Sequence, residues 1–318
     1  MEIAANAGAN HTVNHLRPTG ATQTSLDARS RVTLEPSWGR TGTSLFDALR
    51  QRARLLRRVF CRAAATVTDH IGADVSCQIR LETEFWENDP FERPGSDSLE
   101  NILNKGVEAS IFGEIVAGFA QWFGAAKHIV EVGGGQGWAS CIVKRMYPAA
   151  HVTLTDAVPA AVAGRGIWER VFNCTLDRAA VAPAQSIPLP DGAADLVFCY
   201  AAAHHFVDHD GALAEAHRIL NPGGWCLWLY EPTSSRLLHR AAEARVNRKR
   251  PDVHEHVLIP SKVLGQARAA GFTGTVQYWP STLRRGRLES MYYAGLSFVP
   301  LLCPILPCTA HFALQREV

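Results

Sequence analysis

One short segment, residues 129–138 with the sequence IVEVGGGQGW, constrains the fold of this chain more than any other. An apolar run that breaks into glycines before a helical pattern indicates a buried strand, a tight turn and a helix. Gly133, Gly135 and Gly137 have no side chains, so a bulky ligand can approach the backbone of that turn. The segment therefore predicts a ligand-binding turn at the carboxyl end of a strand.

Strand and helix patterns alternate along the rest of the chain from Lys127 onward. Apolar runs at residues 151–156, 194–200 and 224–230 predict strands, and the stretches between them have helical spacing. Continuous apolar strands separated by helices are typical of a parallel sheet covered on both faces. We therefore expect residues 124–318 to form a doubly wound, mostly parallel α/β domain.

The region before this domain has a different pattern. Residues 1–43 are rich in small and polar residues without apolar periodicity, which predicts a flexible N-terminal tail. Residues 44–123 predict a helical N-terminal extension or lid, with one helix beginning near Ser44 and a longer one running from Leu99 to Trp122. The first helix carries six arginines on its polar face, which is typical of a solvated surface or of a docking surface for an anionic partner.

Composition limits the classes of partner. The net charge of +2 gives no general reason to expect nucleic acid or a membrane surface. The N-terminus has no basic segment followed by an apolar stretch, so we expect a cytoplasmic location. The most apolar stretch, residues 292–308, is interrupted by Pro300, Pro304 and Pro307, which argues against a membrane span. The 8 cysteines lack metal-binding spacing and are expected to be reduced core residues.

The residues around the glycine turn favour one of two cofactor classes. A dinucleotide site needs a small third residue where this chain has Trp138. Glu131 stands two residues before Gly133, where a carboxylate repels a pyrophosphate and attracts an ammonium group. The pattern therefore favours a nucleoside ligand that carries an amino-acid end.

With these residues in place, the sequence resembles the class I S-adenosylmethionine-dependent methyltransferases. Residues 131–137 look like the first motif of that family, and Asp156 matches the acidic residue that holds both ribose hydroxyls. SIPLPDGAADLVFCYAAAHHF is similar to the family's fourth strand and its flanks, and AEAHRILNPGGW to the turn before the fifth strand. The resemblance covers residues 128–232 and is strongest to the small-molecule, ubiquinone/menaquinone-biosynthesis-like group.

The resemblance implies a Rossmann-like fold with a seven-stranded sheet and S-adenosyl-L-methionine as the cofactor. In one respect the sequence departs from the family, because Pro183 stands where an Asp often bonds the adenine amine. We therefore expect backbone groups of residues 184–186, or the Gln185 side chain, to hold the adenine. The expected cofactor-binding residues are Glu131, Gly133, Gly134, Gly135, Gly137, Asp156, Ala157, Gln185, Ser186, Tyr200 and Trp86.

Three residues are candidates for the chemistry. Methyl transfer depends on alignment and on exclusion of water, and it needs a base only if the acceptor carries a proton of high pKa. His204 and His205 follow the fourth strand, close to the expected position of the methyl group. Either histidine acts as a base, with His205 preferred, or both shape the loop. Glu231, at the end of the fifth strand, either orients a substrate group at the mouth of the pocket or caps the following turn.

The sequence does not identify the acceptor. Trp86, with Phe85 and Phe91, either closes over the sulfonium by cation–π contact or packs in the core. Insertions at 233–260 and 280–308 are expected to form a substrate lid, and the HEH sequence at 254–256 lacks the ligand spacing of a metal site. The basic residues of this half either bind an anionic substrate or form a solvated face. They are Arg245, Arg248, Lys249, Arg250, Arg284, Arg285 and Arg287.

We therefore predict an S-adenosylmethionine-dependent methyltransferase that acts on a small-molecule metabolite, in specialised metabolism. The sequence CYAAAHH after the fourth strand takes the place of the Asp/Asn-Pro-Pro-Tyr element, which disfavours a nucleic-acid substrate. Two alternatives stay open. One is a same-fold enzyme that uses S-adenosylmethionine for cyclisation or for transfer of another group, and the other is an inactive cofactor-binding partner subunit. A homodimer is compatible with either.

Overall fold

The computed structural model describes residues 70–89, 93–96, 98–249, 255–283 and 285–318. The helical N-terminal extension is therefore described only from His70 onward. Several predicted features lie outside the described residues: the tail at 1–43, the arginine-rich helix near Ser44, and the single positions Phe91, Arg250, His254 and Arg284.

A seven-stranded sheet forms the centre of the described chain, in the order β3-β2-β1-β4-β5-β7-β6. Neighbours pair in parallel from β3 through β5, whereas β7 is antiparallel to both β5 and β6. The strand order reverses between β1 and β4, and the carboxyl ends of such strands open a crevice. The predicted doubly wound sheet is confirmed. Its strands are β1 (His128–Val132), β2 (His151–Asp156), β3 (Arg178–Val181), β4 (Ala194–Tyr200), β5 (Leu220–Thr233), β6 (Phe272–Tyr278) and β7 (Cys308–Arg316).

Helices precede the sheet and connect its strands. In the described residues, no helix combines the length and apolar character needed to cross a lipid bilayer. In chain order the helices are α1 (His70–Asn88), α2 (Leu99–Gly118), α3 (Ala120–Ala125), α4 (Trp138–Met146), α5 (Pro159–Ala163), α6 (Gly166–Val171), α7 (His209–Ile219), α8 (His239–Lys249), α9 (Pro260–Ala269) and α10 (Arg287–Phe298).

Two apolar clusters bury the two faces of the sheet. Ile129 of β1 belongs to a cluster with Phe112 on α2, whereas its neighbour Val130 belongs to a second cluster with Leu213 on α7. Successive side chains of a strand point to opposite faces, so β1 is buried on both sides. Double burial explains why these strands read as continuous apolar runs.

The apolar side chains of the long helix before the glycine turn are buried mainly in its second half. Its second half is buried through Ile111 and Ile115, whereas Leu99 and Leu103 in the first half are 65% and 60% exposed. The helix begins after Ser98, whose hydroxyl accepts the Asn101 N–H at 3.3 Å. The apolar spacing therefore predicted the helix correctly but overstated the extent of its buried face.

The helical stretch after β2 divides into α5 and α6 at Gly164. A Cβ atom on Gly164 would lie 2.6 Å from the backbone nitrogen of Gly95, which is closer than any side chain permits. The glycine is required because the turn before α2 crosses the backbone there. This contact holds the turn before α2 against the helical stretch that follows β2.

Candidate functional site

A cavity of about 620 Å³ lies where β1, β2, β4 and β5 end. Helix α1 forms one part of its wall through Glu82 and Trp86, and α10 forms another through Glu289 and Tyr293. Most of the cofactor-binding residues predicted from the sequence line this single cavity. They are Glu131, Gly133, Gly134, Gly135, Asp156, Ala157, Gln185, Tyr200 and Trp86.

The glycine turn is held tightly between two elements. Gly135 has a φ angle of 54°, in the left-handed region that favours glycine. A Cβ atom on Gly135 would lie 3.1 Å from the Trp86 indole, so α1 covers this turn at close range. The backbone of the turn is therefore accessible only to a ligand that lies within the cavity.

Asp156, the last residue of β2, is bonded to the glycine turn. Its Oδ2 atom accepts the Gly135 N–H and its Oδ1 atom accepts the Val158 N–H, each at 2.8 Å. Burial raises the pKa of Asp156 to about 6, although these two amides counteract the effect. Each carboxylate oxygen has two lone pairs, so the group can still accept ligand hydroxyls.

Glu131 is the second buried carboxyl group at this end of the cavity. It is 2% exposed, and the Ser140 hydroxyl donates to its Oε2 atom. Burial raises the pKa of Glu131 to about 8 against the influence of that hydroxyl. The carboxyl group is therefore predominantly neutral at pH 7, and a cation placed beside it would ionise it.

Two of the predicted cofactor residues, Gly137 and Ser186, do not line the cavity in the described structure. Gly137 is the N-cap of α4, and Ser186 donates its backbone N–H to the Pro183 carbonyl at 3.0 Å to close a turn. The wall beside this turn consists of Ala182, Pro183, Ala184 and Gln185. Backbone groups and one amide side chain therefore stand where the resemblance predicts the adenine.

Glu231 lies beneath the loop that follows β4 and not at the mouth of the pocket, where its position at the end of β5 had predicted it. It is 0% exposed, and its Oε1 atom accepts the N–H groups of Ala202 and Ala203 at 3.0 and 2.9 Å. Its Oε2 atom accepts the His204 N–H at 3.1 Å and lies 2.8 Å from His204 Nδ1. Burial alone would raise the pKa of Glu231, but the His204 imidazole and these amides lower it overall. Neither predicted role describes this position, because both oxygens bond the loop after β4 that carries the two histidines and not the turn that follows β5.

The two histidines of that loop have different surroundings. His204 is 8% exposed and is bonded to Glu231. His205 Nδ1 lies 3.4 Å from Oε1 of Glu82 on α1, and its side chain is 27% exposed. Burial lowers the pKa of His205, but Glu82, followed by Glu255 and Glu231, raises it overall. His205 thus combines access to the cavity with a carboxylate partner, whereas His204 is held in the loop.

A buried polar network that was not predicted from the sequence supports the glycine turn. The Gln136 side chain is 1% exposed, and its Oε1 atom accepts from Asn101 Nδ2 at 3.3 Å and from Trp168 Nε1 at 3.1 Å. Asn101 is fully buried on α2. The network ties α2 to the turn and to α6. A polar residue between two glycines of a binding turn was its only signal in the sequence.

Aromatic side chains form the middle of the cavity. Trp138 packs edge-on against Phe112 and Tyr200, at ring distances of 5.7 and 5.4 Å. Tyr200 also stacks on Tyr230 at 5.4 Å. The Tyr200 hydroxyl has no hydrogen-bond partner among the described residues, although both tyrosines line the cavity. Trp138 thus supports the wall of the site from the core.

Comparisons with known proteins agree with this geometry. A family model described as "Methyltransferase domain" matches residues 130–228. Demethylmenaquinone methyltransferase of Thermus thermophilus is 34% identical over 107 residues, which cover 31% of this chain and 45% of that protein. Malonyl-[acyl-carrier protein] O-methyltransferase of Hahella chejuensis is 32% identical over 104 residues, which cover 32% of this chain and 35% of that protein.

The fold also has a counterpart among solved structures. Geranyl diphosphate C-methyltransferase from Streptomyces coelicolor superposes with a TM-score of 0.55, over 76% of this chain and 98% of that one, at 13% identity. That likeness concerns the fold alone. The matches to the two curated relatives span 45% and 35% of the length of those proteins. Over residues 130–228, this chain is therefore similar to a methyltransferase domain.

Proposed function

We propose that this protein transfers a methyl group from S-adenosylmethionine to a small-molecule acceptor. The observation that carries the proposal is the pair of carboxyl groups, buried Glu131 and half-buried Asp156, that flank a glycine turn in one cavity. A zwitterionic nucleoside needs one carboxylate for its ammonium group and one for its ribose hydroxyls. The matched methyltransferase domain supports the same chemistry.

The described residues fit this cofactor at each end. Glu131 would bind the amino group and Asp156 the ribose, while the backbone at residues 182–185 would hold the adenine. Gly133, Gly134 and Ala157 line the cavity between these two carboxyl groups. Trp86, which covers the turn, would lie near the sulfonium, where an indole face attracts positive charge. When bound, the cofactor supplies an electrophilic methyl group on that sulfonium.

The chain itself would align the acceptor, exclude water from the reacting atoms and accept the acceptor's proton. Tyr200 and Trp86 exclude water from the middle of the cavity, which keeps an incoming acceptor aligned. His205 would take the acceptor proton on Nε2 while Nδ1 faces Glu82. Glu82 is a positioning residue, because it selects the tautomer and makes the imidazole more basic. Glu231 holds the loop in place from below.

The segments at 233–260 and 280–308 would form the acceptor side of the site. Val246 of α8 and Tyr293 of α10 both line the cavity. The helices before β1 would cover the cofactor side, as Trp86 already does. With this arrangement we propose a metabolite acceptor in preference to nucleic acid, a cytoplasmic location, and a homodimer as the assembly.

Calorimetry with S-adenosylmethionine and with S-adenosylhomocysteine tests the cofactor assignment. We expect saturable binding of both, and an absence of binding with either would overturn the proposal. Product analysis then identifies the chemistry. S-adenosylhomocysteine as the product indicates methyl transfer, whereas methylthioadenosine would indicate transfer of another group or cyclisation. Binding of both ligands without turnover across an acceptor panel would point to a non-catalytic partner subunit.

A further inference from the structure

We infer that the end of the cavity formed by α8 and α10 binds an oxyanion of the acceptor, a carboxylate or a phosphate. This inference rests on the proposed function and defines its substrate class. It identifies a subsite away from the glycine turn, built from Arg245 and Arg285.

Arg285 is fixed in a geometry suited to an oxyanion. Its side chain is 11% exposed, and its guanidinium carbon lies 3.3 Å from the centre of the Tyr293 ring. Nε donates to the Ser281 carbonyl at 2.7 Å, Nη2 to the Thr309 hydroxyl at 2.8 Å and Nη1 to Glu289 at 3.2 Å. A guanidinium has five N–H donors, so three bonds orient the group and leave donors for a ligand. A pre-oriented arginine loses little entropy when it binds.

Among the described residues, Arg245 and Arg285 form ion pairs with one shared carboxylate. Arg245 Nη2 lies 3.9 Å from Glu289 Oε1, the same oxygen that Arg285 contacts. Two guanidinium groups thus share one carboxylate, which leaves a local net charge of about +1. Around the glycine turn and the helices before β1, the wall carries the acidic side chains of Glu82, Glu108, Glu131 and Asp156. A further acidic residue of the wall, Glu255, is bonded through its backbone to Asn247 of α8. Lys105, a third cation of the described wall, is 4.0 Å from Glu108 and lies near Trp86.

Two stacked tyrosines, Tyr200 and Tyr230, lie between the glycine turn and the two arginines. Tyr200 beside the glycine turn stacks on Tyr230, and the pKa of Tyr230 is raised by burial but lowered by the charge of Arg285. Tyr230 therefore lies between the methyl-transfer end and the arginine end. An acceptor that reaches both ends would pass the tyrosines and place its anionic group between Arg245 and Arg285. Opposite potentials at the two ends would also fix its direction.

The test is calorimetric titration of the protein with inorganic phosphate and, separately, with acetate, at constant ionic strength. We expect saturable binding of at least one anion. Arg245→Gln should weaken it about tenfold, as the loss of one charge-assisted hydrogen bond implies. Glu289→Gln should strengthen it severalfold, because it removes the carboxylate that competes for both arginines. Arg240→Gln, an exposed arginine of the same helix that does not line the cavity, should bind as the wild type does.

The opposite signs of the first two effects separate ligand binding from a structural role. A purely structural pair would lose stability in both variants without any gain in anion affinity. The inference is overturned if neither anion saturates the wild-type protein, or if the Arg245 and Glu289 variants bind as the wild type does. Each titration is run with and without S-adenosylhomocysteine. Failure of S-adenosylhomocysteine to bind would therefore overturn the proposed function. The titrations without it would still decide whether the arginine subsite binds an anion.

Discussion

Binding of S-adenosylmethionine should release a proton from Glu131. Burial raises the pKa of this carboxyl group to about 8, although the hydrogen bond from the Ser140 hydroxyl lowers it in part. An ammonium group placed against it favours the ionised form and lowers that pKa. Binding and ionisation are therefore linked, and the cofactor should bind more tightly as the pH rises toward 8.

The size of the release follows from the pKa of about 8. At pH 7 such a group is about 0.9 protonated, and at pH 9 about 0.1. If the bound ammonium lowers the pKa below about 5, about 0.9 of a proton leaves Glu131 at pH 7 and about 0.1 at pH 9. The α-amino group of the ligand takes up about 0.1 to 0.2 of a proton at pH 7. Because a Glu131→Gln variant keeps that uptake, the difference between the two proteins isolates Glu131.

Calorimetry in buffers of different ionisation enthalpy measures the released proton directly. The wild-type protein should show a net release at pH 7, and at pH 9 the uptake by the ligand amine should reverse the sign of its buffer-dependent heat. Glu131→Gln should show the uptake alone, so the difference between the two proteins should be about 0.9 of a proton at pH 7 and about 0.1 at pH 9. Ser140→Ala removes a hydroxyl that lowers the pKa of Glu131, so at pH 8.5 its difference from Glu131→Gln should exceed that of the wild type. Equal proton numbers for the wild type and Glu131→Gln at pH 7 would refute the role assigned to Glu131.

Four further outcomes follow from the same geometry. Asp156→Ala should weaken S-adenosylmethionine binding by about 2 to 4 kcal/mol through loss of charged hydrogen bonds; unchanged affinity by calorimetry would contradict the ribose assignment. His205→Gln should lower kcat by about 10²-fold or more and flatten the acidic limb of the pH–rate profile, whereas Glu82→Gln should keep that limb but move it to lower pH. A limb unchanged in both variants would exclude His205 as the base. Glu231→Gln places an amide NH₂ among backbone N–H donors, so urea denaturation should show a loss of about 2 to 4 kcal/mol; equal midpoints would dismiss its holding role. Between about pH 5 and pH 8 the native state keeps Glu131 protonated, whereas the unfolded chain has lost that proton. The free energy of unfolding should therefore decrease as the pH rises through this range, by up to about 1.4 kcal/mol per pH unit. Thermal denaturation of Glu131→Gln should show a smaller decline, and an identical slope would disprove this contribution.

The sequence predicted those parts of the site that lie within one local pattern. Gly133 and Gly135 stand in the turn after β1, and Asp156 ends β2, an order that is typical of a doubly wound sheet. Each residue is placed by its own element, so spacing alone indicates where it lies. The same logic identified Trp138 as unsuited to a dinucleotide site.

Contacts between residues of elements that are far apart in the sequence could not be predicted from such local patterns. Nothing in the spacing of α1 indicates that Glu82 faces His205, because their contact depends on how that helix docks. Glu231 was placed at the mouth of the pocket, since a residue at the carboxyl end of a parallel strand usually faces it. A register shift between Trp228 and Glu231 accompanies its inward position. That irregularity depends on pairing with β7, far along the chain.

The irregularity in β5 links the reaction centre to the folding order of the chain. Tyr230 has a φ angle of 61°, and its N–H donates at 2.9 Å to His311 Nδ1 on β7. Burial lowers the pKa of His311 to about 4, so the imidazole remains a neutral acceptor over a wide pH range. Strands β1 to β5 precede β7 in the chain, whereas the register shift beside Glu231 belongs to the pairing of β5 with β7. The loop that carries the two histidines would therefore take its final position only after the last strand has joined the sheet.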